Sequence, residues 1–178
     1  MEDPTPLHSV KRFITGHNSS GQAIYESQVP EDLPFAVAGS GLTRSLAYTL
    51  NNLPANLNAN ADHASYSTQL AELETQPAPL ILPNGTALQH LIFAPGATSP
   101  MHRTVSLDYI VMLEGEVECI LDGGETRLLR TGDVLVQRGT MHAWRNPSLE
   151  RECRFVAVIH PIESVEVNGK KLEAEWTT

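Results

Sequence analysis

The chain is short of cysteine: it has two, Cys119 and Cys153, in 178 residues. Both stand in apolar runs, so they read as small core residues with free thiols rather than as a disulfide framework. Aromatic residues make up only 6%, and no apolar run approaches the roughly 20 residues that cross a bilayer. Basic residues are scarce as well. The 12 Lys and Arg against 21 Asp and Glu leave a net charge of -9, and Lys170-Lys171 is only a pair. A chain of this sign is a poor partner for phosphate backbones, so no nucleic acid is expected. The opening MEDPTPLHSVKRF lacks the basic start and apolar stretch of a secretory leader, so a cytoplasmic protein with no membrane partner is expected. Also missing are a Gly-rich phosphate loop, a Cys-x-x-Cys pair and a Gly-x-Ser-x-Gly turn, which leaves the usual nucleotide, zinc-ribbon and serine-hydrolase readings without support.

What is present suffices for a core. At 41% apolar, the chain is expected to form one domain with an appendage. Three segments follow from composition: an N-terminal extension over 1–85, a β core over 86–160, and a C-terminal strand or arm over 161–178. Residues 1–10 read as an arm, and His17-Asn18-Ser19-Ser20-Gly21 as the loop of a hairpin. GSGLTRSLAYTLNNLP reads as either a short strand or a helix. In DHASYSTQLAELE, Tyr66, Leu70 and Leu73 share a helical face with Asp62 as N-cap. QPAPLILPNG, over 76–85, interrupts with prolines.

From residue 86 the pattern changes to short alternating runs separated by Gly-containing turns, the signature of an all-β barrel or sandwich. Alternation puts Val117, Cys119 and Leu121 on one face, with Glu116 and Glu118 on the other. Asp122-Gly123-Gly124 and Asn168-Gly169 are turn signals.

Polar residues interrupt this core pattern at particular places. His102, Thr104 and Asp108 are separated by even intervals, so on a continuous strand they point the same way, and a turn near Ser106 would alter that. His142, Trp144 and Asn146 share a parity in the same manner. If both sets point inward, one cavity holds two imidazoles, a carboxylate, a hydroxyl and an indole. Such groups bind a divalent metal or act as general acid and base. Trp144 would be a core aromatic or a stacking wall. His90 could add an imidazole, or lie outside the cavity. Arg103, Arg138 and Arg145 face outward by alternation, and His17 and His63 read as surface residues.

The segment Gly96-x5-His102-x-Thr104-x3-Asp108-x6-Gly115 resembles the first motif of the cupins, G-x5-H-x-H-x(3,4)-E-x6-G. Gly132-x4-Gln137-Arg138-Gly139-x2-His142-x3-Asn146 resembles their second, G-x5-P-x-G-x2-H-x3-N, without the proline and one residue shorter. MHRT-x-x-x-DY and VQRGT-x-HAW are similar to a subgroup of small single-cupin proteins of bacteria and fungi. The resemblance covers 86–160 and implies an all-β double-stranded β-helix, or jelly roll, with the site inside it. It puts His102, Asp108 and His142 at ligand positions. Thr104 falls where the family has a second histidine, so the usual three-histidine, one-glutamate set is absent. Either one divalent ion (Zn, Fe or Mn) is held by the remaining three, or the site is metal-free.

These residues lead to three expectations. The first is an enzyme of lyase or isomerase type. It would decarboxylate, dehydrate or tautomerise an oxygenated polyketide-like or aromatic acid in specialised metabolism, with His102, Asp108 and His142 catalytic and Thr104, Trp144 and His90 binding substrate. The second is a non-heme iron dioxygenase or related oxidoreductase, and the third a non-catalytic protein that binds a small ligand. A small-molecule substrate and a homodimer are the expected partners.

Overall fold

The computed structural model describes residues 10–73 and 81–177, so the arm read over 1–10 and the first half of QPAPLILPNG lie outside the described residues, save Val10. The chain divides after Pro34 into two units. In the first, β1 (Ile14–His17) and β2 (Ala23–Glu26) form an antiparallel hairpin with Ile14 opposite Glu26 and His17 opposite Ala23. The loop read between them closes through Asn18, whose Oδ1 accepts from the backbone N–H of Ser20 at 2.9 Å and of Gln22 at 3.0 Å. That is the local bond that makes asparagine a turn residue.

The second unit runs β3 (Ala36–Gly39), β4 (Leu42–Leu50), α1 (Ala61–Glu72), β5 (Thr86–Phe93), β6 (His102–Arg103), β7 (Ser106–Glu114), β8 (Glu116–Leu121) and β9 (Thr126–Arg130). It continues with β10 (Val134–Arg138), β11 (His142–Arg145), β12 (Cys153–Pro161), β13 (Glu166–Val167), β14 (Lys170–Lys171) and β15 (Glu175–Trp176). One sheet is ordered β10-β7-β12-β5-β4-β3 and the other β15-β6-β11-β8-β9, all antiparallel. The expected all-β jelly roll is therefore what the chain forms. The β4–β5 pairing, from Leu42 opposite Phe93 to Leu50 opposite Thr86, carries the larger sheet back ahead of the residue-86 boundary. GSGLTRSLAYTLNNLP resolves as strand over Leu42–Leu50.

Gly115 shows how the chain moves between sheets. It joins β7 of one sheet to β8 of the other at φ +71°, and a Cβ there would lie 2.9 Å from the Glu152 carbonyl oxygen. Only glycine meets both demands. In β8, Val117 and Cys119 are buried while Glu116 is exposed, as alternation requires. Both cysteines are free and buried, and burial pushes their pKa values up to about 11 and about 12, which keeps the thiols unreactive.

The helix departs from its sequence reading in two ways. Asp62 is not the N-cap; Asn60, at φ +54°, holds that place, and Asp62 accepts from the Tyr48 hydroxyl at 2.7 Å. His63 is not a surface residue but is buried, because it lies one turn before Tyr66 on the face that packs against β4. Tyr66 is fully buried and donates to the Leu46 carbonyl at 2.8 Å, with its ring 4.7 Å from that of Tyr48. Burying that side chain stabilises the helix on the sheet by about 2–3 kcal/mol. Among the described residues no helix is long and apolar enough to cross a membrane.

Candidate functional site

A cavity of about 330 Å³ lies inside the second unit, lined from both sheets. The motif residues enter it by an interrupted path. β6 belongs to the five-stranded sheet and β7 to the six-stranded one, so the chain crosses between sheets at Thr104-Val105. The even spacing survives the crossing: His102, Thr104, Ser106 and Asp108 all line the cavity. From β11, His142 and Trp144 line it as well. His142 sits directly opposite His102 in register, with ring centroids 4.3 Å apart.

Each imidazole is oriented through Nδ1. That of His102 lies 2.9 Å from the Pro100 carbonyl, and that of His142 lies 2.9 Å from the Thr140 carbonyl and against the Gln137 side-chain amide. A carbonyl only accepts, so where Nδ1 donates to it Nε2 keeps its lone pair. The Gln137 Nε2 amide, a donor 2.8 Å from His142 Nδ1, suits the other tautomer. His142 is almost fully buried. Burial first, then the neighbouring His102 charge, lower its pKa to about 4, against the opposing pull of the Thr140 carbonyl. Asp108 moves the other way. Burial raises its pKa to about 6, with a hydrogen bond from Ser106 opposing, and its Oδ1 is buried without a partner. A neutral base and a carboxylic acid that holds its proton unusually long thus share one small space.

Aromatic rings build the walls. Trp144 stands edge-on to His142 at 5.4 Å and packs on Phe155 at 5.2 Å, which in turn stacks on Phe93 at 5.8 Å. Arg44, Gln89 and Trp176 are among the lining residues that escaped the sequence reading. Arg44 and Gln89 enter from β4 and β5, with Arg44 Nη1 donating to Gln89 Oε1 at 3.5 Å. Trp176 returns from the C-terminus on β15, opposite His102, and lies nearly parallel to its ring at 6.4 Å. The strand that carries it is fastened by Arg103, which donates to the Glu173 carbonyl at 2.9 Å and to Glu175 at 2.6 Å. Arg103 and Arg145, the latter paired with Glu118, have the expected ion-pair roles. Arg138 is exposed.

His90 is not among the residues that line this cavity. Gln89 and Leu91 line it, so strand alternation turns His90 to the other face of the sheet, where its ring stands 5.6 Å from that of Phe35. His160 is placed likewise beside Ile159, with Nδ1 3.0 Å from Thr86 Oγ1. The ligand set implied for a metal also fails to assemble. Among the described residues no three His, Cys, Asp or Glu side chains are grouped to hold an ion. Thr104, in place of the missing imidazole, offers a neutral hydroxyl that lies 2.7 Å from the Ser106 hydroxyl.

Comparison with known proteins extends this picture. The family described as "Cupin domain" matches residues 89–159. The chain is 40% identical to "Phomopsin biosynthesis cluster protein D" of Diaporthe leptostromiformis over 93% of its own length and 86% of the relative's. It is 39% identical to "Oryzines biosynthesis cluster protein J" of Aspergillus oryzae, covering 92% and 89%. It is 36% identical to "Cupin-domain-containing oxidoreductase srdB" of Neurospora crassa, covering 97% and 84%. Among solved structures, the polyketide cyclase RemF from Streptomyces resistomycificus shares the fold, with a TM-score of 0.50 at 18% identity over 83% of this chain and 81% of that one.

Proposed function

The chain belongs to the cupin family, and from that premise we propose that it is an enzyme of specialised metabolism, a lyase or isomerase that moves protons on a small organic acid. The observation that carries this reading is the pairing of His142 with Asp108 in one apolar cavity, their proton affinities shifted in opposite directions. His142 Nε2 takes the proton from an acidic C–H or O–H of the substrate. Asp108 gives its own proton to the oxygen where negative charge collects, or to a departing hydroxyl. His102, opposite His142 in register, lines the same cavity and holds the substrate against His142. The aromatic walls exclude water and strengthen each of these interactions. The biosynthesis-cluster names of two relatives support a role in specialised metabolism.

A second reading, an oxidoreductase, is favoured by the names of other relatives, srdB among them. One experiment separates the two. The purified protein and its His102→Ala variant are incubated with a panel of aromatic and polyketide-derived acids, in air and under argon, and the products are weighed by mass spectrometry. Loss of carbon dioxide, loss of water or an unchanged mass, under argon and only with the wild type, is the expected result. Gain of oxygen or loss of hydrogen, with turnover only in air, would move the assignment to the oxidoreductase. Full activity in His102→Ala would remove the site.

A further inference from the structure

The six-stranded sheet has a second face, turned away from the cavity. Arg44 of β4, Gln89 and Leu91 of β5, and Phe155 and Ala157 of β12 line the cavity, so alternation turns Ser45, His90, Arg154 and Val156 to the other side. The register brings the polar ones together. Ser45 lies directly opposite His90, and Arg154 stands two residues along β12 from Val156, the partner of His90 on that side. Direct neighbours of this kind have Cβ atoms about 5 Å apart and diagonal ones about 7–8 Å, within reach of a long side chain. All three are nearly fully buried, with Ser45 2%, His90 5% and Arg154 5% exposed. Ser45 Oγ, His90 Nε2 and Arg154 Nε are nevertheless without a hydrogen-bond partner among the described residues.

Arg154 differs from the arginines of the other sheet, where Arg103, Arg130 and Arg145 pair with Glu175, Glu116 and Glu118. It forms no ion pair among the described residues, and Glu114, opposite it on β7, is exposed. His90 feels its charge: burial first, then Arg154, lower the pKa of that ring to about 4. His90 is therefore neutral at physiological pH, and the tautomer protonated at Nε2 gives an N–H donor, as Ser45 gives its O–H. A buried charge is strongly destabilising unless the opposite sign stands beside it. We propose that Ser45, His90 and Arg154 form a site for one small monovalent anion, of the class of chloride, on the face of the six-stranded sheet opposite the cavity. One permanent positive charge and two neutral donors balance a single negative charge, whereas a dianion would leave net charge buried. The ion fastens β4, β5 and β12 to one another behind the cavity wall that the same strands supply.

The test follows melting temperature as sodium chloride replaces sodium gluconate, whose anion is too large for the site, at constant sodium concentration. The wild type is expected to gain about 4 °C, with the gain saturating as a single site fills. Ser45→Ala removes one donor and is expected to raise the apparent chloride Kd about tenfold, the scale of one hydrogen bond to a charged group. Arg154→Met keeps an unbranched side chain without the charge and is expected to lose the gain altogether. Should Arg154→Met fail to fold, Ser45→Ala decides. Bromide in place of chloride locates the ion, and crystals grown in it are expected to show an anomalous scattering peak among Ser45, His90 and Arg154. A melting temperature indifferent to the exchange overturns the site. A gain with the same midpoint in the wild type and Ser45→Ala, or bromide found only elsewhere, overturns it as well and leaves an adventitious ion only.

Discussion

His102 and His142 face each other as the single registered pair between β6 and β11, their ring planes inclined at 48°. His142, the more buried ring, is held neutral by burial, with a pKa of about 4. Asp108 holds its proton up to about pH 6. With His142 as base and Asp108 as acid, kcat/KM is expected to rise through about pH 4 and fall through about pH 6. Measuring the profile on any substrate turned over checks this. Activity still climbing above pH 6 would reverse the role given to Asp108.

Stability carries the same signature with opposed signs. Asp108 has a folded pKa above its ordinary 3.8, so its contribution is most favourable below that value and is lost as pH rises through about 6. His142 and His90 both fall from 6.5 to about 4, so theirs is present above 6.5 and lost as pH falls through about 4. Two histidines outweigh one aspartate, and the melting temperature is expected to drop between pH 6.5 and 4.

At neutral pH the buried Asp108 carboxylate is a net cost. Asp108→Asn is expected to stabilise the protein by on the order of 1 kcal/mol while abolishing activity, a trade of function for stability. Urea unfolding of the two proteins at neutral pH decides it. A destabilised Asp108→Asn would mean that the carboxylate is held by the fold rather than against it.

Trp176 tests the part played by the C-terminal strand. It is 56% exposed, so its removal uncovers little core, yet it lies parallel to His102 across the cavity wall. Trp176→Ala is expected to raise KM about tenfold, the upper range of one aromatic contact, with kcat little changed and Trp176→Phe close to wild type. Unchanged KM in Trp176→Ala would place the indole outside the substrate's reach.

How far the sequence revealed the site depended on how local each cue was. His102, Thr104 and Asp108 shared a parity that held even though the chain changes sheets between Arg103 and Ser106. The same rule applied to β5 separates His90 from the inward Gln89, Leu91 and Phe93, but their polar and apolar types do not alternate. Arg44 was hidden because GSGLTRSLAYTLNNLP follows no clean period, and β4 carries an irregularity between Leu46 and Tyr48. Its inward face is set by pairing with β5, some forty residues on. Trp176 and His63 share that cause: the first returns to His102 from the far end of the chain, and the second is buried by a sheet its own helix pattern does not mention.

Asn146, which ends the second motif, works as a fastening rather than as part of the cavity. It is fully buried, and its amide nitrogen lies within hydrogen-bond reach of the carbonyls of Phe93, Ala94 and Arg151 at 3.2, 3.1 and 2.8 Å. Its Oδ1 accepts from the Ser148 N–H at 3.0 Å. One side chain thus ties the end of β5 to the loop before β12. Alanine leaves these backbone groups without a partner, and unfolding free energy is expected to fall by about 2–4 kcal/mol. Aspartate keeps the acceptor but sets a carboxylate against three carbonyl oxygens, so Asn146→Asp is expected to be at least as damaging. Chemical denaturation of both variants checks the order, and an Asn146→Asp protein as stable as the wild type would show that the donor side of the amide holds nothing.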